Sequence, residues 1–293
     1  MAINGKTRVC AVIGDPVEHS LSPVMHNAAF KELGLNLVYV AFKVTRNGLK
    51  DAISAARSLG LRGLNVTMPH KKAVIGYLDE TDSTAEAIGA VNTILNNQGK
   101  LVGYNTDGKG AMIALKENGI YPEEKKMLLL GAGGAAKAIA FQAAQEVEEL
   151  VILNRTSEKA EQLAELLCKK FGKTVKGGAL SAEVLEEEMK TADILVNATS
   201  VGMHPDVNMS PVPLDLLRRD LCVMDIIYNP LETKLVKDAR AVGAKVVLGL
   251  EMLLYQGAVA FEIWTNCPAP VDVMKKAALN KLAEQGVTVE GKS

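Results

Sequence analysis

The stretch Asn65-Val-Thr-Met-Pro-His-Lys71 sets an amide, a hydroxyl, an imidazole and an amine within a few residues of one another. A short apolar run over 61–66 reads as a strand, and Pro69 suits the first position of a helix after it. Lys71 would then stand in the first helical turn, where the macrodipole opposes a cation, with a second ammonium beside it at Lys72. Nothing about stability asks for a lysine there. Lysine chemistry responds readily to its surroundings, which makes Lys71 a candidate proton donor and acceptor. The competing reading is a solvated basic helix start.

A different chemistry sits midway along the chain. Leu128-Leu-Leu-Gly-Ala-Gly-Gly-Ala-Ala136 satisfies G-x-G-x-x-A directly after a strand candidate and at the start of an alanine-rich helix. Gly131 permits the tight turn, Gly133 lets backbone amides approach a pyrophosphate, and Ala136 lets helix pack on strand. Ala132, Gly134 and Ala135 complete the turn, and the helix N-terminus supplies the anion site. A plain strand-to-helix turn would also use glycine, but the strand–turn–helix setting favours a dinucleotide. The next strand discriminates between nucleotides. An NAD site usually ends it with Asp or Glu, which holds the ribose 2′-hydroxyl. Asn154, Arg155 and Thr156 stand there instead. A carboxylate would repel a 2′-phosphate, whereas a guanidinium and a hydroxyl bind it, so the expected cofactor is NADP. The alternative is that Arg155 merely opens a surface loop.

These segments belong to a longer series that resembles the motifs of shikimate dehydrogenases, in that family's order. His19-Ser-Leu-Ser-Pro23 is similar to its substrate-carboxylate motif, and Asn65 to Lys71 to its catalytic motif. Gly89-Ala-Val-Asn-Thr93 and Tyr104-Asn-Thr-Asp107 resemble further substrate-site motifs, and the glycine turn and Asn154-Arg-Thr156 its NADP elements. Asn197-Ala-Thr-Ser-Val-Gly-Met203, Asp225-Ile-Ile-Tyr-Asn-Pro230 and Gly249-Leu-Glu-Met-Leu-Leu-Tyr-Gln256 complete the series.

The resemblance implies NADP-dependent, reversible reduction of 3-dehydroshikimate to shikimate, in aromatic amino-acid biosynthesis. It makes Lys71 the proton carrier and Asp107 the carboxylate that orients it and accepts a substrate hydroxyl. On the residues alone, Asp107 reads as the N-cap of a helix beginning at Gly108. Ser20 and Ser22 flank a helix start, where hydroxyls and the dipole could hold a carboxylate without an arginine. Ser22 is also explained as an N-cap, whereas Ser20 lacks that explanation. Asn65, Thr67, Asn92 and Gln256 match ring-binding positions, and Tyr228 matches a substrate-contacting tyrosine. Thr199 and Ile226 match the cofactor lining, and Gly249 a position where a missing side chain would admit the nicotinamide. The chain departs from the family pattern at Ile226, where Met or Val is frequent, and at Asn266, where Gly is common. Quinate, alone or with shikimate, is the nearest alternative substrate. A non-catalytic quinate or shikimate sensor and a folate-interconverting dehydrogenase are rivals of other kinds. Retention of Lys71 and Asp107, with no appended DNA-binding segment, speaks against the sensor, and the Ser20/Ser22 pair against the folate enzyme.

Composition sets the limits around this site. Thirty-three basic against 34 acidic residues, a formal charge of −1, argue against a nucleic-acid-binding surface. The 4 cysteines are widely spaced, suggesting neither a disulfide framework nor a zinc site, and Cys10 and Cys222 read as core residues. His19, His26, His70 and His204 lack metal-ligand spacing, so no metal is expected and His70 is taken as structural. The N-terminal residues lack an export signal and no segment has a membrane span's apolar length. The expectation is a cytoplasmic protein, monomer or homodimer, whose partners are small molecules.

The elements that must position these residues alternate between strand-like and helix-like patterns, which gives an α/β class with mostly parallel sheets. Strands are expected over 9–13, 37–42 and 61–66, helices over 22–33 and 49–59, and a hairpin of 91–95 with 101–104 across Asn96-Asn97-Gln98-Gly99. A helix over 108–117 leads to a seam at Asn118-Gly119 and Pro122. A second unit follows, with strands over 127–130, 150–153, 194–197, 223–227 and 246–248. The last helices, over 252–264 and 271–284, return to the first domain in the resembled family. The expected division is therefore 1–107 with 250–293 as an N-terminal α/β substrate domain, and 108–249 as a Rossmann-type NADP-binding domain.

Overall fold

A computed structural model of the chain describes residues 3–286. It divides into two compact units, one running to Thr106 and resuming at Gln256, the other spanning Asp107–Tyr255. The first unit contains β1 (Arg8–Gly14), α1 (Ser22–Glu32), β2 (Leu37–Lys43), α2 (Leu49–Ser58), β3 (Gly63–Val66), β4 (Glu80–Thr81), α3 (Ser83–Ile88), β5 (Thr93–Asn97) and β6 (Lys100–Tyr104). Its sheet has the order β2-β1-β3-β5-β6-β4, with β1 parallel to β2 and β3 and with β5 antiparallel to β3 and β6. Leu49, Ile53 and Ala56 recur at helical spacing on α2 and close over Ile13, Leu64 and Ile94 of the sheet. The β5–β6 hairpin turns on Gln98 and Gly99, both at positive φ (54° and 93°). That is the primed geometry that matches the twist of the paired strands.

The second unit contains α4 (Asp107–Glu117), β7 (Lys126–Leu130), α5 (Gly134–Glu146), β8 (Glu149–Asn154), α6 (Ser157–Phe171), β9 (Val175–Ala179), α7 (Ala182–Met189), β10 (Ile194–Asn197), β11 (Cys222–Asp225), α8 (Lys234–Ala241) and β12 (Lys245–Val247). Its sheet is wholly parallel, in the order β12-β11-β10-β7-β8-β9. Met127, Leu128, Leu129 and Leu130 are all fully buried, as a strand covered on both faces requires. The order reverses between β7 and β10, and a doubly wound sheet binds its ligand outside the carboxyl ends of the strands at such a switch point. The expected 223–227 strand ends early, at Asp225, because the Ile227 N–H donates to the Asp225 carboxylate (3.1 Å) and leaves the ladder.

Helix α9 (Gly249–Thr265) begins in the second unit and ends in the first, and α10 (Val271–Glu284) packs against α1. Trp264 fixes α9 to the first unit's sheet: its indole N–H donates to the Ile94 carbonyl (2.9 Å). A Cβ at Gly63 would lie 2.1 Å from that indole nitrogen, so only glycine admits the ring there. Asn266, at φ 57°, takes the left-handed turn that follows, a conformation asparagine tolerates. Among the described residues no helix is long and apolar enough to cross a membrane.

An aromatic cluster binds α1, β2 and α9 together. His26 stacks on Tyr39 (4.5 Å between centroids, 16° between planes) and contacts Phe30, Phe261 and Trp264. Neither of its ring nitrogens has a hydrogen-bond partner among the described residues. Full burial pushes the His26 pKa down to about 3 from 6.5. The unfolded chain therefore takes up this proton first. The stability that neutral His26 permits is complete above pH 6.5 and is lost as pH falls toward 3, by roughly 1.4 kcal/mol per pH unit. His26→Phe should remove that loss. In urea melts between about pH 7 and 4 the variant's stability relative to wild type should climb as pH falls, and a constant difference would show that His26 does not titrate on unfolding.

Candidate functional site

Lys71 is not in a helix. After β3 the chain makes a turn closed by the His70 N–H on the Thr67 carbonyl (2.9 Å), and a 3₁₀ segment starts only at Ala73–Tyr77. The expected helix fails because the Lys71 carbonyl accepts from Val91 N–H (2.8 Å) rather than from a residue one turn on. A long-range backbone bond thus overrides the signal of Pro69, and the helix-dipole argument for Lys71 falls with it. His70 is buried, and its Nε2 lies 2.6 Å from the Val44 carbonyl, which can only accept, so that nitrogen carries the proton and the imidazole braces the turn. Thr67 lies over β1, where its Cγ2 occupies the space a Cβ on Gly14 would need (2.3 Å).

The other substrate candidates of the first unit are joined by one buried hydrogen-bond network. The Tyr39 hydroxyl donates to Asn65 Oδ1 (2.6 Å), and Asn65 Nδ2 donates to the Asn92 carbonyl (3.2 Å) and to Thr93 Oγ1 (3.1 Å). Thr93 Oγ1 donates onward to Asn92 Oδ1 (3.0 Å), which also accepts from the Thr106 N–H (2.8 Å). Asn92 Nδ2 reaches Thr106 Oγ1 (2.9 Å) and Gln256 Oε1 (3.3 Å). The network is neutral throughout, and it offers amides and hydroxyls suited to a polyhydroxylated ligand. Its linking members Tyr39, Thr93 and Thr106 were not singled out from the sequence. Thr93 and Thr106 lie in the Gly89–Thr93 and Tyr104–Asp107 motifs, but Tyr39 looks like any strand aromatic.

The two serines exchange their expected parts. Ser22 is the first residue of α1 rather than its N-cap, a position held by Leu21. It is Ser20 Oγ that accepts an N–H at the helix start, from Ser22 (3.3 Å). Ser22 is itself buried. Asp107 likewise lies inside its helix, as the first residue of α4, buried and favoured there by the dipole.

In the second unit the glycine turn has the expected geometry. Gly131 sits at φ 113°, and a Cβ there would also strike the Ala198 carbonyl (2.8 Å). Gly133 is the N-cap of α5 without a capping side chain, and Gly133 and Gly134 are exposed with open space around them. Ala132 and Ala136 are buried and Ala135 is half-buried. The first N–H groups of α5 are thus presented at the carboxyl end of β7, as an anion site requires. β8 ends at Asn154, whose Nδ2 donates to the Thr156 carbonyl (2.9 Å). Arg155 and Thr156 are exposed, and Thr156 does not cap α6 with its side chain, so both can reach a ligand.

A buried carboxylate organises the neighbouring loops. Asp225 accepts from Asn197 Nδ2 (3.1 Å), Ile227 N–H (3.1 Å) and Thr233 Oγ1 (2.7 Å). Burial raises its pKa, opposed by the hydrogen bonds from Thr233, Ile227 and Asn197. Asn197 Oδ1 in turn accepts from Thr199 N (3.1 Å) and Oγ1 (2.7 Å). One acid therefore ties the Thr199 loop to the segment bearing Ile226 and the exposed Tyr228. Gly249 lies where a side chain would meet backbone: a Cβ there would lie 2.4 Å from the Ile227 carbonyl and 2.6 Å from that of Ile226.

Comparison with known proteins places these features in a family. The family description "Shikimate dehydrogenase substrate binding domain" matches residues 12–94, "Shikimate / quinate 5-dehydrogenase" residues 113–227, and "Shikimate 5'-dehydrogenase C-terminal domain" residues 249–279. The chain is 51% identical over 287 residues to the shikimate dehydrogenase (NADP(+)) of Methanocaldococcus jannaschii, covering 96% of this chain and 100% of the relative. A crystal structure of a shikimate dehydrogenase with NADP+ superposes with a TM-score of 0.89 at 48% identity, over 98% of each chain. The Thermus thermophilus enzyme, solved with NADP(H) and shikimate, gives 0.83 at 39% identity, over 92% of this chain and 98% of that one. The chain belongs to the shikimate dehydrogenase family.

Proposed function

We propose that this protein is an NADP-dependent shikimate dehydrogenase, reversibly reducing 3-dehydroshikimate to shikimate in aromatic amino-acid biosynthesis. The observation that carries this reading is the neutral network from Tyr39 through Asn65, Thr93 and Asn92 to Gln256, in a chain 51% identical to a relative of that name. A ring bearing hydroxyls calls for such uncharged partners. The cytoplasm is the compartment we assign, with small-molecule substrate and cofactor as the partners, in a monomer or homodimer.

We assign substrate binding to 1–107 with 250–293 and NADP binding to 108–249. When bound, the nicotinamide supplies or accepts the hydride. The protein must move one proton and hold the ligands. In the reductive direction the Lys71 ammonium gives its proton to the oxygen of the reacting carbonyl, and takes it back in the reverse. Asp107 orients that ammonium and accepts a ring hydroxyl. Ser20 and Ser22 hold the substrate carboxylate, Tyr228 contacts the substrate, and Asn65, Thr67, Asn92 and Gln256 bind the ring. The α5 N-terminus behind Gly131-Ala-Gly-Gly-Ala135 takes the pyrophosphate. Asn154, Arg155 and Thr156 recognise the 2′-phosphate, while Thr199, Ile226 and Gly249 shape the nicotinamide end.

Initial rates with shikimate and quinate, each with NADP+ and NAD+, test the assignment. Turnover should be confined largely to shikimate with NADP+, and faster turnover of quinate would overturn it. Lys71→Ala should lower kcat by about 10²–10⁴-fold while the KM for shikimate stays within a few-fold; near-normal turnover would remove Lys71 from the chemistry. Arg155→Ala should raise the KM for NADP+ roughly 10-fold and leave that for NAD+ alone. An equal rise for both would contradict the phosphate role.

A further inference from the structure

Tyr39 is held more tightly than a core residue needs to be. Helix α1 supplies both restraints through adjacent residues. Asn27 clamps its backbone, Nδ2 donating to the Tyr39 carbonyl (2.8 Å) and Oδ1 accepting the Tyr39 N–H (2.8 Å), while His26 stacks on its ring. Trp264 also packs on the ring, 5.9 Å away between centroids. The phenol is buried, and burying a hydroxyl is costly unless it is paired. A phenylalanine would fill the same space at lower cost, so the hydroxyl itself calls for an explanation.

The polarity of its hydrogen bonds gives one. The Asn92 carbonyl can only accept, so the Asn65 amide must turn Nδ2 toward it and Oδ1 toward Tyr39. The phenol must then donate to Asn65. With both N–H groups of Asn65 engaged by Asn92 and Thr93, the second lone pair of Oδ1 is what the amide has left for a ligand. Asn65 is thereby preset to accept a hydrogen bond, and its natural complement is a substrate hydroxyl.

We propose that Tyr39 is a positioning residue of the substrate site, fixing the Asn65 amide in one orientation so that Asn65 receives a hydroxyl of the substrate. This rests on the functional reading above and goes beyond it by naming a residue that need not touch the substrate and by giving Asn65 a direction. Without the phenolic O–H, Asn65 Oδ1 loses its donor, while the aromatic packing stays.

The test is the initial-rate kinetics of Tyr39→Phe, Asn65→Ala and the double variant, with thermal midpoints alongside. Tyr39→Phe should raise the KM for shikimate roughly 5–10-fold, with the KM for NADP+ unchanged and kcat within a few-fold. In the Asn65→Ala background the same change should have almost no further effect, because its route to the substrate is gone. Additive effects, or an unchanged KM in Tyr39→Phe with an active wild type, would overturn the proposal alone. A wild type inert toward shikimate would overturn the functional reading together with it. Should Tyr39→Phe fail to fold, Thr93→Val removes another anchor of the same amide. It should raise the KM for shikimate selectively, and a KM equal to wild type would then count against the proposal.

Discussion

A buried carboxamide must satisfy two donors and an acceptor at once, and Asn65 does so only because separate segments of the sheet bring it partners. Tyr39 comes from β2, the Asn92 carbonyl from the segment before β5, and Thr93 from the first position of β5. An unmade bond at such a site would cost about 1–3 kcal/mol, so the sheet order and the positions of these side chains are mutually enforcing. The order β2-β1-β3-β5 sets β2 two strands from β3, so the Tyr39 side chain crosses β1 to bring its hydroxyl to Asn65, while the Asn65 amide reaches the neighbouring β5 side. The same network reaches Thr106 and Gln256, the residues at which the first unit ends and resumes.

The second unit uses a charge for the equivalent purpose. Asp225 is buried, yet it accepts hydrogen bonds from two loops and from Thr233, whose hydroxyl also caps α8 at Val236 N–H (3.3 Å). Its three donors oppose, without cancelling, the desolvation that raises its pKa, and they fix the ends of β10 and β11. The close backbone contacts at Gly131 and Gly249 serve the same end, since side chains there would force those loops apart. Both units thus present their candidate ligand groups from segments held by buried polar bonds rather than by apolar packing alone.

How much of this is legible in the sequence depends on the reach of each interaction. The parallel strands of the second unit are, because fully buried strands are unbroken apolar runs: the expectation over 194–197 coincides with β10. The glycine turn is legible because its requirement is local. The turn at Lys71 is not, since Pro69 signals a helix and the Val91 N–H that diverts the chain lies far along the sequence. The parts of Ser20 and Ser22 hinge on where α1 begins, a one-residue matter that hydroxyl side chains cannot decide. The short α3 and β4 are below the length at which periodicity speaks. Tyr39 is hidden for another reason: an aromatic in an apolar strand reads as core, and its hydroxyl gains meaning only when Asn65 is seen beside it.

The most direct measurement is a crystal structure of the protein with shikimate bound. The Asn65 amide should keep its bonds to Tyr39, Asn92 and Thr93, with a ring hydroxyl donating to Oδ1 and the carboxylate at Ser20 and Ser22. A flipped Asn65 amide, a broken Tyr39–Asn65 bond, or shikimate seated away from Asn65 and Lys71 would contradict a prebuilt site.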